Sequence, residues 1–414
     1  MNLNNWKKVK LGEVCSIRRG SSPRPIKDYL SDAGMPWVKI ADATESNSRF
    51  INKTNEFIKI EGVGRSVVVE PGALILSNSG TAGLPKFMGI KACIHDGWQV
   101  FDDLNGIDKN YLYYVLLFIR ERLLHGAYDS TMKNLTLDMV RGSIIWLPPV
   151  EEQKHISRYL NCLDDKIELN NNIIQKLEDM AQTIYKQWFI DFEFPNVDGE
   201  PYKTSGGEMV NSEHGLIPKG WEVNTLDKIV ELSTKSVNPQ KHPERLFEHY
   251  SIPALDDGKM PEMHFGEEIK SNKYIISDKV VLISKLNPTT KRIWKPFPQG
   301  KYPICSTEFM VYTPKEEKTI SYVYELINSD AFSEMLVSHA TGSTGSRQRV
   351  KPSNTLKFKY TLPSFDIMNK FSKVIEPIHE IIALKINENK KISTLRDTLI
   401  PKLMSGEIRV PLGN

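Results

Sequence analysis

The stretch LDDKIELNNNIIQKLEDMAQTIYKQWF, Leu163 to Phe189, decides how the rest of the chain is divided. Leu163, Ile167, Asn170, Ile174, Leu177, Ala181, Ile184 and Trp188 recur at alternating steps of four and three, the seam of a heptad helix. Asn170 stands in that seam, where a polar residue fixes register at a cost in stability. The pattern returns near the other end as IHEIIALKINENKKISTLRDTLIPKLM, residues 378–404. There Ile378, Ile382, Lys385, Asn389, Ile392, Arg396, Leu399 and Leu403 follow the same steps with more polar interruptions, and Pro377 suggests a start or kink. Shifted by 215 positions, Ile167 falls on Ile382, Leu169 on Leu384, Asn172 on Asn387, Thr183 on Thr398 and Ile184 on Leu399. One scaffold is written twice.

The same offset governs the ends of what lies between. Trp6 opens WKKVKLGEV and Trp221 opens WEVNTLDKI; Leu147-Pro148 ends an apolar run and so does Leu362-Pro363. Between these marks the offset drifts and the two interiors hardly match. Candidate strands are Ser66–Glu70, Ala73–Ser77, Val280–Ser284 and Glu308–Tyr312, each bounded by turn residues, with a helix after them at about 108–123 and 319–338. The expected fold is α+β: two β-rich domains separated by two long helices forming an antiparallel coiled coil, a pseudo-two-fold repeat. The expected divisions are 1–150 for the first β-rich domain and 151–195 for a central spacer helix. A Gly/Pro/Ser-rich connection follows at 196–220, then the second domain at 221–363 and a C-terminal spacer helix at 364–414. Leu163, Ile167, Asn170, Ile174, Leu177 and Ile184 are expected to face Ile378, Ile382, Ile392 and Leu399 in the coil.

Composition narrows the function. The 414 residues carry a net charge of only +3, which neither demands nor forbids a polyanionic partner. The longest apolar run, Tyr111 to Ile119, is half of what a membrane span needs, and no secretory h-region opens the chain. Cys15, Cys93, Cys162 and Cys305 are scattered without CxxC spacing, which suits reduced thiols in a cytoplasmic protein. Phosphate-loop, HExxH and methyltransferase signatures are missing: GTAGLPKF at 80–87 lacks the loop spacing, and NPTT at 287–290 lacks the paired prolines and aromatic. No catalytic residue and no metal ligand is assigned.

Basic and small polar residues gather instead at comparable places in each half. RRGSSPRPIK (18–27) and DSTMKN (129–134) belong to the first half, SKLNPTTKRIWK (284–295) and GSTGSRQRVKP (342–352) to the second. Small residues let a backbone approach phosphates, while Arg pairs with guanine edges and Gln or Asn with adenine. The candidate DNA contacts are Arg18, Arg19, Arg24, Asn78, Lys133 and Asn134 in the first half. In the second they are Lys285, Lys291, Arg292, Ser346, Arg347, Gln348 and Arg349. Trp98 and Trp294 fit core packing better than base stacking.

These signatures closely resemble the specificity subunit of type I restriction–modification systems. The residues that carry the likeness are LPPVEEQKHI (147–156), the 163–196 stretch, GEPYKTSGGEMV (199–210), IPKGW (217–221) and LRDTLIPKLMSGEI (395–408). The second exit, LPSFDIMNKF, departs from the pattern in lacking the second Pro and the Glu-Gln pair. The resemblance implies a non-catalytic reader of double-stranded DNA in which each target recognition domain reads half of a bipartite, asymmetric site. It further implies two modification subunits that methylate adenine, and restriction subunits that translocate and cut. S-adenosylmethionine, ATP and Mg would be used by those partners, with no cofactor bound by this chain and no membrane involved. A coiled-coil adaptor binding proteins through its β-rich domains is the alternative, and salt-titrated DNA binding separates the two.

Overall fold

A computed structural model describes residues 5–46, 48–128, 134–342 and 348–411. The chain divides into two compact units, 1–169 with 391–414, and 170–390. In each, the sequence repeat becomes a repeat of topology.

In the first unit, Lys7–Lys10 pairs antiparallel with Ile144–Leu147, Lys7 lying opposite Leu147. In the second, Glu222–Thr225 pairs with Lys359–Leu362, Glu222 opposite Leu362. The strand after each tryptophan therefore closes on the strand before each Leu-Pro, in one register displaced by 215 residues. Between them lies a corresponding pair of sheets that differ at their edges. One has the order Ser16–Arg19, Trp98–Asp102, Leu74–Ser77, Pro85–Met88 in the first unit, with Phe50–Ile51 added at the edge. In the second unit its counterpart is Val230–Ser233, Phe309–Pro314, Val281–Ser284, Ile293–Trp294. In the other sheet, Ala92–Ile94 runs parallel to Met35–Val38 and antiparallel to Val67–Val69. Pro303–Ser306 likewise runs parallel to Leu246–Tyr250 and antiparallel to Lys273–Ile275. Buried apolar residues fill both sheets, Trp98 and Trp294 among them.

The helices behind the sheets are Lys109–Tyr128 in the first unit, and Ile320–Ile327 with Asp330–Ser338 in the second. The single expected helix at 319–338 is broken at Asn328-Ser329, where the Ser329 hydroxyl accepts from the Phe332 amide and caps a new helix. The connection at 196–220 is structured: Met209–Ser212 and Gly215–Pro218 form a hairpin, and Phe194 stacks between Tyr202 and Trp221 at 4.6 and 4.8 Å.

The long helices run Val150–Phe189 and Phe365–Met404 and pack against each other. Pro377 neither starts nor ends the second: the helix begins twelve residues earlier, because Met368, Phe371 and Ile375 are buried in the core ahead of it. In the first unit Arg396 donates to Asp164 at 2.7 Å; in the second Asn170 donates to Asn389 at 2.9 Å. As one index rises the other falls, so the helices are antiparallel. Of the seam, Asn170 is fully buried while Leu163, Ile167, Ile174, Leu177, Ile184, Ile378, Ile382, Ile392 and Leu399 are half-buried, as in a pair of helices open on its sides. No helix among the described residues is long and apolar enough to cross a membrane.

The exit from the first domain is held by side chains. Glu151 is exposed and pairs with Lys154, but Glu152 is buried and accepts from the Trp6 indole at 3.0 Å. Gln153 is buried too, donating to the Pro148 and Gly106 carbonyls and accepting from the Asp108 amide at 2.7 Å. At the second exit Ile367 and Met368 occupy these two places and are buried without polar partners, an apolar version of the same joint.

Polar groups deep in the second unit make its stability pH-dependent. His249 lies 3.4 Å from His264 across paired strands. Burial, with Lys273 and His264 nearby, pushes its pKa down to about 4. The fold thus holds His249 neutral, while the unfolded chain takes up a proton near pH 6.5. Stability from this group is fully present above that pH and falls as the pH drops toward 4. Between pH 7 and 5 the loss is about 2 kcal/mol, and denaturant unfolding of His249→Gln is expected to show a pH dependence smaller by that amount.

Candidate nucleic-acid interface

The candidate loops of the first unit meet at one turn. His95-Asp96-Gly97 joins Ala92–Ile94 to Trp98–Asp102, and the segment after Arg19 crosses it closely. Gly20 donates its amide to the Trp98 carbonyl at 2.9 Å, and a Cβ there would lie 2.2 Å from the His95 oxygen, so only glycine fits. Asp96 gathers its neighbours: the Ser22 hydroxyl donates to its carboxylate at 2.6 Å and Arg24 at 3.1 Å, while Arg19 donates to its carbonyl at 2.7 Å. The Ser22 hydrogen bond, with Arg24 beside it, holds the Asp96 carboxyl below the usual carboxylate range. The neighbouring His95 imidazole is pushed down by burial.

Asn78 is buried beneath this turn rather than displayed. Its amide donates to the Asp96 carbonyl at 2.9 Å, its backbone N–H to the Gly97 carbonyl at 2.8 Å, and its own carbonyl accepts from the Leu135 N–H at 2.9 Å. Gln99 donates to the Leu135 carbonyl at 2.9 Å. Leu135 is thereby pinned, and Asn134, exposed, stands next to the pin. Arg18 is exposed and paired with Asp102. Arg19, Arg24 and Asn134 are thus brought to one region of the unit, while Arg18 points to the other end of the strand Trp98–Asp102; Lys133 lies outside the described residues.

The second unit builds its version on the turn Thr307-Glu308, which joins Pro303–Ser306 to Phe309–Pro314. The Lys285 amide donates to the Glu308 carbonyl at 2.8 Å, its ammonium to the Thr307 carbonyl at 2.6 Å, and its carbonyl accepts from the Val350 amide at 3.1 Å. Burial lowers the Lys285 pKa. Asn287, with φ at +47°, donates its amide to the Gln348 carbonyl at 3.0 Å. Arg349 is fixed by backbone pairing with Thr341, and its guanidinium meets Glu308 at 3.1 Å. Arg292 is gripped by both oxygens of Asp256 at 2.7 and 2.8 Å, and exposed Lys291 donates to the Asn328 carbonyl. Lys285, Arg292, Gln348 and Arg349 therefore converge, while Ser346 and Arg347 lie outside the described residues.

Sequence reasoning passed over the acidic partners Asp96, Asp102, Asp256 and Glu308. Asp96, Asp102 and Glu308 carry no linear signal beyond an acid near a strand end, and Asp256 none beyond an acid at the end of the short helix Ile252–Asp256. The sites offer guanidinium, ammonium and amide donors on a tied backbone, the chemistry of phosphate and base-edge contact. Among the described residues, no group of three or more His, Cys, Asp or Glu is placed to hold a metal.

Residues 4–179 match the type I restriction modification DNA specificity domain. The MjaIX type I restriction enzyme specificity subunit of Methanocaldococcus jannaschii is 25% identical over 427 residues, covering 98% of this chain and 94% of the relative. The HindI type I restriction enzyme specificity subunit of Haemophilus influenzae is 22% identical, covering 90% and 86%. The crystal structure of a type I restriction–modification S subunit from M. genitalium shares the fold with a TM-score of 0.55 at 13% identity, over 97% of this chain and 96% of that one.

The tie under Leu135 can be measured. Gln99→Ala leaves the Leu135 carbonyl without its donor inside the unit, a loss of about 1–3 kcal/mol, expected as an earlier midpoint in urea unfolding at unchanged slope.

Proposed function

We propose that the chain is a DNA specificity subunit of a type I restriction–modification system and that each unit reads one half of a bipartite, asymmetric DNA target. The observation that carries this reading is the repeated topology with dissimilar loops. Two frames of corresponding strand order hold the loops at the same turn, yet one presents Arg19, Arg24 and Asn134 and the other Gln348 and Arg349. Equal frames with unequal contacts suit unequal half-sites. The chain itself is non-catalytic in this reading. Modification subunits using S-adenosylmethionine methylate adenine in each half-site, and restriction subunits using ATP and Mg cut elsewhere.

Two copies of the modification subunit fit the repeat. Tyr159, Leu169 and Met180 are exposed apolar residues on the first long helix, and Val374, Leu384 and Leu395 are exposed at positions displaced by 215 on the second. An apolar residue left in water at equivalent places twice is what two copies of one partner would cover. The paired helices are in turn the element that sets the number of base pairs between half-sites.

The test is the methylated-adenine motif mapped in cells that produce the chain with its modification subunit. Exchanging residues 1–150 for those of a relative is expected to change one half-site and leave the other intact; a change in both ends the modular reading. Arg349→Ala is expected to relax the half-site that this exchange spares, at a cost of about 1–3 kcal/mol in discrimination, read as binding to single-base variants of the mapped site at fixed salt. Removing seven residues within 163–188 and their partners across the pair is expected to change the gap or abolish assembly.

A further inference from the structure

The two acidic turns occupy one place in the repeat. Gly97 and Glu308 accept, at 2.8 Å each, the amides of Asn78 and Lys285, which follow equivalent strands. At each turn a carboxylate meets one nitrogen of an arginine: Arg24 with Asp96, and Arg349 with Glu308, both at 3.1 Å. The arginines come from different parts of their domains, Arg24 from between the first two strands of its sheets, Ser16–Arg19 and Leu30–Ser31, and Arg349 from beyond the last, Phe309–Pro314. A carboxylate stands at this turn in both frames, on the residue before Gly97 in the first and on Gly97's counterpart Glu308 in the second, and the arginine reaches it by different routes.

Stability does not explain this. The arginine side chains are 75% and 61% exposed and the carboxylates 41% and 36%, so each pair is worth little to the fold. A negative charge amid basic loops also opposes phosphate binding. What it does supply is orientation. An arginine held through one Nη2 hydrogen keeps the remaining N–H groups of a rigid planar fork for an acceptor pair such as guanine O6 and N7.

We propose that Asp96 and Glu308 are specificity-determining residues of the two DNA-reading surfaces. Each carboxylate restrains its arginine for a base edge and repels phosphate, so that strong binding requires a base that accepts the presented guanidinium. This rests on the reading that the loop clusters face DNA.

Asp96→Asn and Glu308→Gln keep shape and remove charge. With the modification subunit co-produced in a host lacking adenine methylation, Asp96→Asn is expected to relax only the half-site that exchange of residues 1–150 alters. Glu308→Gln is expected to relax only the other. Methylation at sites with one wrong base in that half should rise at least tenfold relative to wild type, and the purified complex should bind a random-sequence duplex several-fold more tightly at low salt. Adding Asp96→Asn to Arg24→Ala, or Glu308→Gln to Arg349→Ala, should change discrimination no further. An unchanged motif, equal relaxation of both halves, or effects that add to those of the arginine variants would overturn the proposal. So would loss of all methylation without tighter random-duplex binding, which places the carboxylate in the framework. Failure of the premise looks different: the wild-type complex then yields no bipartite motif.

Discussion

Every other feature depends on the closure of each domain by its own first and last strands. Lys7–Lys10 on Ile144–Leu147, and Glu222–Thr225 on Lys359–Leu362, bring the ends of roughly 140 residues together at the start of a long helix. The ladder is antiparallel and short, so its register is set by a few residues at each end: a buried tryptophan on one side and a Leu-Pro stop on the other. With the ends joined there, the sheets between them are free to differ in loop length without moving either terminus.

Each domain is then docked on the helices by buried polar groups at matching positions. In the first unit, the Tyr114 hydroxyl donates to Asn161 and Asp164, and buried Arg49 reaches Asn161, Asp165 and Glu168. In the second, His379 and Glu376, which lie 215 residues beyond Asp164 and Asn161, meet Glu325 and Lys295. The chemistry is exchanged between units and the location is kept. Such networks are strict about geometry, because a buried group that loses its partner is costly.

How much of this was legible follows from which interactions are local. The heptad seam, the Leu-Pro stops and the tryptophans recur at a fixed offset because helix pairing and strand closure act on residues near the ends of the repeat, where lengths are conserved within the chain. The correspondence of the central strands in the two sheet topologies is not legible, since the drifting offset hides which strands match. Arg19, Arg24 and Arg349 were found by residue type, yet their partners Asp96 and Glu308 were not. Carboxylates 72 and 41 residues from their arginines leave no trace in a linear pattern. Asn78 carries an amide suited to an adenine edge, but burial under the turn gives that amide a framework carbonyl instead. The bond from Trp6 to Glu152 joins residues 146 positions apart and is visible only in the folded chain.

The loops of both units are tied down chiefly through the main chain: Asn78 to Gly97, Leu135 to Asn78, Lys285 to Glu308, Val350 to Lys285 and Asn287 to Gln348. Peptide groups are the same whatever side chain they carry. Residues at the loop tips can therefore drift almost without penalty to folding, while the frame that aims them stays constant. A lineage built on such a frame can acquire new sequence preferences by ordinary point mutation, and its stability places few vetoes on the result.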